Sequence, residues 1–141
     1  MPRINTDIHP LKFEEDGDNI VIIGEEFPIP RTVHMNSEVD PFTVPYSPLG
    51  YSVGRWEDEN TLVIHTSRID YKYLDLSGIL QSKEVTVDER YVYYEAENRV
   101  DYLVVVNDPI MLNEPYVRSG VWFDLGDVID EFDCVPTIAN N

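Results

Sequence analysis

A chain of 141 residues that is 43% hydrophobic and 11% aromatic has enough apolar mass for one folded core and too much for a disordered segment. Its 27 acidic residues against 10 basic ones give a formal charge of -17, a field that repels nucleic acid and argues against DNA or RNA as a partner. With one cysteine, Cys134, and three histidines, neither an internal disulfide nor a Cys/His zinc site is expected, and no metal or cofactor is expected. No apolar run approaches the roughly 20 residues that span a bilayer as a helix, so membrane insertion is not expected. The start "MPRINTDIHP" lacks the basic-then-apolar pattern of a signal peptide, which predicts a soluble protein of the cytoplasm. The acidity reads first as a solubility device, with a cationic ligand as the lesser alternative.

In chain order, an N-terminal arm over 1–10 is followed by "NIVIIGEEF" (19–27), an apolar run that a strand would bury. "PIPRTVHM" (28–35) continues extended, with prolines setting its entry. The three prolines of "SEVDPFTVPYSPLG" (37–50) mark a long structured loop. "YSVGRWE" and "TLVIHTSR" are joined by the polar turn "DEN", a hairpin signature. Positions 69–84 read as a loop with a short helical turn that crosses a barrel mouth. "EVTVDERYVYYE" (84–95) alternates cleanly, and "NRVDYLVVVND" (98–108) follows a short turn at "AEN". "YVRSGVWFD" (116–124) is the last strand, and 125–141 is an acidic tail.

Seven or eight short strands at this spacing predict an all-β fold. The expected architecture is one antiparallel β-barrel of about eight strands over 1–141, lipocalin- or calycin-like. A closed barrel is favoured because nothing in the pattern marks protected edges. Barrels of this size either fill with side chains or hold one small ligand.

Alternation assigns faces. Val85, Val87, Glu89, Tyr91 and Tyr93 share one face, while Glu84, Thr86, Asp88 and Arg90 share the solvent face. Glu89 therefore stands among valines and tyrosines, where an unpaired carboxylate is costly. It needs an inward arginine such as Arg55 or Arg118, or serves as a catalytic acid or base. Leu62, Ile64 and Thr66 oppose Val63, His65 and Ser67, which puts His65 on the more polar face of its strand. His34 lies with Thr32 and Asn36, and His9 has no supporting context. Val100, Tyr102, Val104 and Val106 oppose Asp101, Leu103 and Val105. Tyr51, Tyr71, Tyr73, Tyr91, Tyr93 and Tyr102 supply phenols that can hydrogen-bond a ligand oxygen. Arg55, Trp56 and Trp122 complete the candidate binding set. Phosphate loops, the G-x-S-x-G elbow and H-E-x-x-H are absent from the sequence.

The stretch "YSVGRWEDENTLVIHTS" resembles the signature of a large bacterial family of uncharacterised small proteins. That signature reads G-H-S-V-G-R-W-E, a short turn, then T-L-V-V with an acidic residue and Thr. "YLDLSG" (73–78) is similar to the family's W-L-D-x-x-G, "DERY" (88–91) to its V-E-R-F, and "VNDP" (106–109) to its I-D-D-P. "NEPY" (113–116) is similar to its T-K-P-W and "EFDC" (131–134) to its E-Y-x-C, so the resemblance runs over roughly 11–134. Arg55, Glu57, Asp75, Glu89, Arg90 and Asp108 match the pattern. Tyr51, Ile79 and Gln81 stand where the family often has histidine, His65 where it usually has an acidic residue, and His34 where it often has tyrosine. Many members carry export signals. Gly54 and Trp56 also resemble the G-x-W of lipocalins, with Trp56 expected as a core plug.

Two functions are weighed. One is a cofactor-free lyase, isomerase or cyclase acting on a small, largely apolar, natural-product-like molecule, with Glu89 as acid or base and His65 or His34 as its partner. The alternative is a lipocalin-like binding protein that carries an apolar molecule without chemistry. The reading leans narrowly to the enzyme. Strand edges and exposed aromatics such as Trp122 allow a homodimer.

Overall fold

Period-two burial governs almost every strand of this chain, and it is what curls the sheet around one core. The computed structural model describes Pro2 and residues 10–25, 29–124, 126, 128 and 129. His9, Cys134, most of the N-terminal arm and the tail beyond 129 with its "EFDC" stretch lie outside the described residues.

Eight strands form a single sheet in sequence order: β1 (Leu11–Asp16), β2 (Asn19–Gly24), β3 (Arg31–Met35), β4 (Tyr51–Asp58), β5 (Thr61–Ser67), β6 (Thr86–Tyr94), β7 (Arg99–Asn107) and β8 (Tyr116–Phe123). The architecture is the expected all-β one, curled into a half-barrel. Hydrogen bonding does not close it, because β1 and β8 are the two ends of the ladder. Side chains bring those ends together instead: the Phe13 ring on β1 lies 6.4 Å from Trp122 on β8. On β1, Lys12, Glu14 and Asp16 alternate with the inward Leu11 and Phe13, and charges on an edge strand discourage pairing with another chain.

All neighbouring strands are antiparallel except β3 and β4, which pair in parallel with Val33 opposite Ser52. A parallel pair cannot be joined by a tight hairpin. The loop 36–50 supplies the crossover, and it is structured as its prolines predict. Asp40 caps a 3-10 turn over Pro41–Thr43 by accepting from the Phe42 amide at 2.9 Å. Positions 69–84 differ from expectation. They contain no helical turn, but a loop pinned by the fully buried Ile69 and Leu74 and by a bridge between Tyr73 and Leu80. That loop packs over the β6–β7 end of the interior, on Val85, Val87, Val104 and Val106.

Three rows of side chains run across the concave face. One reads Val33, Ser52, Thr66, Val87, Val106 and Tyr116. The next reads Met35, Gly54, Ile64, Glu89, Val104 and Arg118. The third reads Trp56, Leu62, Tyr91, Tyr102 and Gly120. The faces assigned from alternation on β5, β6 and β7 are the ones found. Each of the wholly buried valines in these rows contributes about 1.5–3 kcal/mol. No helix of the described residues is long and apolar enough to cross a membrane.

Candidate functional site

Glu89 is only 3% exposed and belongs to a polar network drawn from four strands, in which Arg31 and Tyr91 bond it directly. Arg31 on β3 reaches across the interior: Nη1 donates to Glu89 Oε1 at 3.1 Å, and Nη2 forms an ion pair with Oε2. The same guanidinium donates from Nε to Ser52 Oγ on β4 at 3.0 Å and from Nη2 to Thr66 Oγ1 on β5 at 2.7 Å. The Ser52 and Thr66 hydroxyls lie 3.0 Å apart. From two residues along β6, the Tyr91 hydroxyl donates to Glu89 Oε1 at 2.6 Å. Burial alone would depress the Arg31 guanidinium, but the Glu89 carboxylate outweighs it and holds Arg31 above its usual range. Burial, then the adjacent carboxylate, push the Tyr91 phenol well above its ordinary value, so it keeps its proton.

The partner of Glu89 is thus Arg31, and neither arginine expected from the sequence. Arg55 is exposed on the convex face, because the concave positions of β4 are Ser52, Gly54 and Trp56. Arg118 stands in the Glu89 row, two strands away, with its guanidinium 5.9 Å from the centre of the Tyr102 ring. The pairing of Glu89 with a histidine is not found either. His65 is exposed on the convex face, its Nδ1 2.7 Å from Asp88 Oδ1 on the neighbouring strand. His34 is convex as well, stacked on Tyr51 at 4.9 Å. The sheet itself separates both imidazoles from the carboxylate. Arg55, His65 and Asp88 instead line a convex groove of about 890 Å³ under the 36–41 loop.

One row beyond Glu89, at Leu62 and Tyr91, the concave face opens into a cleft of about 800 Å³. Phe13, Ile20, Met35, Leu62, Tyr91 and Val100 form its apolar surface. Trp56 and Tyr93 flank it, and the β1–β2 and β4–β5 turns give it an acidic rim. Trp56 is not the core plug expected: it is 55% exposed, beside the bulge between Trp56 and Asp58. The other tyrosines divide. Tyr102 stacks on Trp122 at 4.4 Å, and Trp122 in turn stacks on Tyr91 at 5.8 Å, so these rings form the wall behind the cleft. Trp122 is accordingly a half-buried interior ring, and the side chains exposed on β8 are Val117, Ser119, Val121 and Phe123. Tyr71 packs on the core at the opposite end, with Tyr73 beside it on the surface. Tyr51 is buried on the convex side, where its hydroxyl lies 2.8 Å from Ser37 Oγ.

Sequence reasoning missed Arg31, Ser52, Thr66 and Phe13. Arg31 carried a usable signal, since it shares the period-two face of Val33 and Met35. The positions that carry the motif resemblance hold the scaffold. Arg90 donates to Glu57 on the convex face at 2.9 Å, and Asp75 accepts from the Ser77 amide at 2.8 Å. Asp108 accepts from the Ser82 amide and hydroxyl and from the Ile110 and Met111 amides. Gly54 leaves room for the Val33 and Met35 side chains. Comparison with family models, curated proteins and solved structures finds no match to this chain.

Proposed function

We propose that the protein binds a small, largely apolar molecule in the open mouth of the half-barrel, in the manner of a lipocalin. One observation carries this reading: a concave, aromatic-flanked cleft of about 800 Å³, a size within the range of small-molecule sites. A second favours binding over chemistry. Glu89, the one inward carboxylate expected to move protons, is already committed to Tyr91 and to Arg31, whose guanidinium the Ser52 and Thr66 hydroxyls hold in place. A carboxylate held that way is a structural anion. The resemblance to the G-x-S-V-G-R-W-E family supplies no activity.

Acid–base catalysis by a lyase, isomerase or cyclase is the second reading, favoured by Tyr91 alone. Its ring lines the cleft while its hydroxyl touches Glu89, which makes it a path from the buried charge to a bound molecule.

Native mass spectrometry of the purified protein, with extraction of any adduct, separates the two readings. Calorimetric titration with the neutral probe 1-naphthylmethanol complements it. Carriage predicts probe binding that Trp56→Ala weakens, and any natural adduct released unchanged by both wild type and Tyr91→Phe. An adduct that wild type converts and Tyr91→Phe holds intact would establish the enzyme. A wild type that carries no adduct and gives no heat with this probe or with its charged analogues overturns the pocket itself.

A further inference from the structure

The cleft is apolar inside and charged with one sign outside. Its rim carries Glu14, Glu15, Asp18 and Glu59, and among the described residues no lysine, arginine or histidine lines it. Glu14 is paired with Lys12, but among the described residues nothing pairs with Glu15, Asp18 or Glu59. The three come from two separate hairpins. Glu15 stands opposite Ile20 on the concave side of β1, next after Phe13 in the period-two row. Asp18 lies in the β1–β2 turn and Glu59 in the β4–β5 turn, and both line the cleft. Between them, Trp56 presents an indole that is more than half exposed.

Each element of this arrangement selects the same ligand charge. An anion entering the mouth meets unpaired carboxylates on both sides. A neutral molecule gains only from the apolar floor. A cation gains from the rim charges and from the exposed aromatic face while its body is buried on Ile20 and Leu62. We infer that the occupant is a cationic amphiphile, an ammonium or quaternary ammonium on an aromatic or alkyl body. Its charge sits at the rim between Glu15, Asp18 and Glu59, and its body lies in the cleft. This rests on the small-molecule reading above and names the class of molecule.

The test uses three probes with one body and three charges: 1-naphthylmethylamine, 1-naphthylmethanol and 1-naphthylacetate. Each is titrated calorimetrically into the full chain at low and high salt. The amine should bind about ten-fold more tightly than the alcohol at low salt, and the acid more weakly than either. The net charge of -17 would draw any cation weakly to the whole surface, so the location must be shown separately. Glu15→Gln with Glu59→Gln should bring the amine to within about two-fold of the alcohol and leave the alcohol unchanged. Glu84→Gln with Glu114→Gln removes the same formal charge away from the cleft and should keep the preference. Equal binding of amine and alcohol by wild type overturns the charge assignment and leaves the pocket standing. A preference lost equally in both double variants overturns it too, by placing the attraction in the overall field. No binding of any probe removes the pocket and the inference with it.

Discussion

Arg31 on β3 and Glu89 on β6 meet although two strands lie between them. Three strand spacings amount to about 14 Å along a sheet, farther than the two side chains reach over a flat surface. The contact exists because the sheet curls and the ion pair takes the chord. Ser52 and Thr66, on the strands that are crossed, hold the guanidinium from beneath. One residue from each of four consecutive strands is thereby tied to the others, and the pair is a brace for the curvature that makes the cleft.

A brace of this kind predicts a particular pattern of loss. Glu89→Leu strands a buried guanidinium, and Arg31→Met strands a buried carboxylate. Each should cost about 3–5 kcal/mol, because an uncompensated buried charge is worse than no charge. Arg31→Met combined with Glu89→Leu removes both charges and should cost less than either single change. Urea midpoints at unchanged m-value measure the cycle. Additive losses in the double variant would show that the two residues stabilise the fold separately.

The inward position of Glu89 was legible because a strand's alternation leaves no choice: Val87 and Tyr91 are interior, so the residue between them in that row is interior too. Its partner was not legible. Arg31 is 58 residues away, and only the curl of the sheet selects it over Arg118, which shares the Glu89 row. Arg55 could have been set aside from the sequence, since Gly54 and Trp56 take the concave positions around it. β1 escaped notice because four of its six residues are charged, leaving Leu11 and Phe13 as the whole of its apolar pattern. That omission hid half of the acidic rim, which exists only when the β1–β2 turn is brought beside the β4–β5 turn. Trp56 misled for a related reason: the strand runs on past the part of the sheet that other elements cover.

Gly54 is where the parallel pair comes close. A Cβ there would lie 2.6 Å from Val33 Cγ1 and 2.8 Å from Met35 Sδ, both on β3. The Met35 thioether can swing toward the cleft, but the wholly buried Val33 has no room to turn aside. Gly54→Ala should therefore destabilise by about 1–3 kcal/mol, the usual cost of overpacking a filled interior. Trimming the obstacle should couple to this. Val33→Ala should cost less in the Gly54→Ala background than in the wild type, by thermal or urea unfolding. Equal costs in both backgrounds would mean that the crowding is relieved by movement of the strand.

Asp108 gives the fold a defined sensitivity to acid. Burial raises its carboxyl, but hydrogen bonds from Ser82, Ile110 and Met111 outweigh burial and hold it below its ordinary value. In the unfolded chain the same carboxyl titrates near pH ~3.9. The native state therefore binds fewer protons than the unfolded one as the pH falls through that region. The stability Asp108 supplies is complete above its unfolded value and is lost as the pH drops toward the lowered folded one. Asp108→Asn, which turns an acceptor of four hydrogen bonds into a partial donor, should cost about 1–3 kcal/mol at neutral pH. The gap to wild type should narrow as the pH falls below ~4, where the wild-type carboxyl is itself becoming protonated. Urea midpoints of the two proteins at neutral and acid pH measure the difference. The other carboxylates titrate in both proteins and so largely cancel. A gap that stayed constant with pH would assign the role of Asp108 to its shape and remove its charge from the stability of the loop.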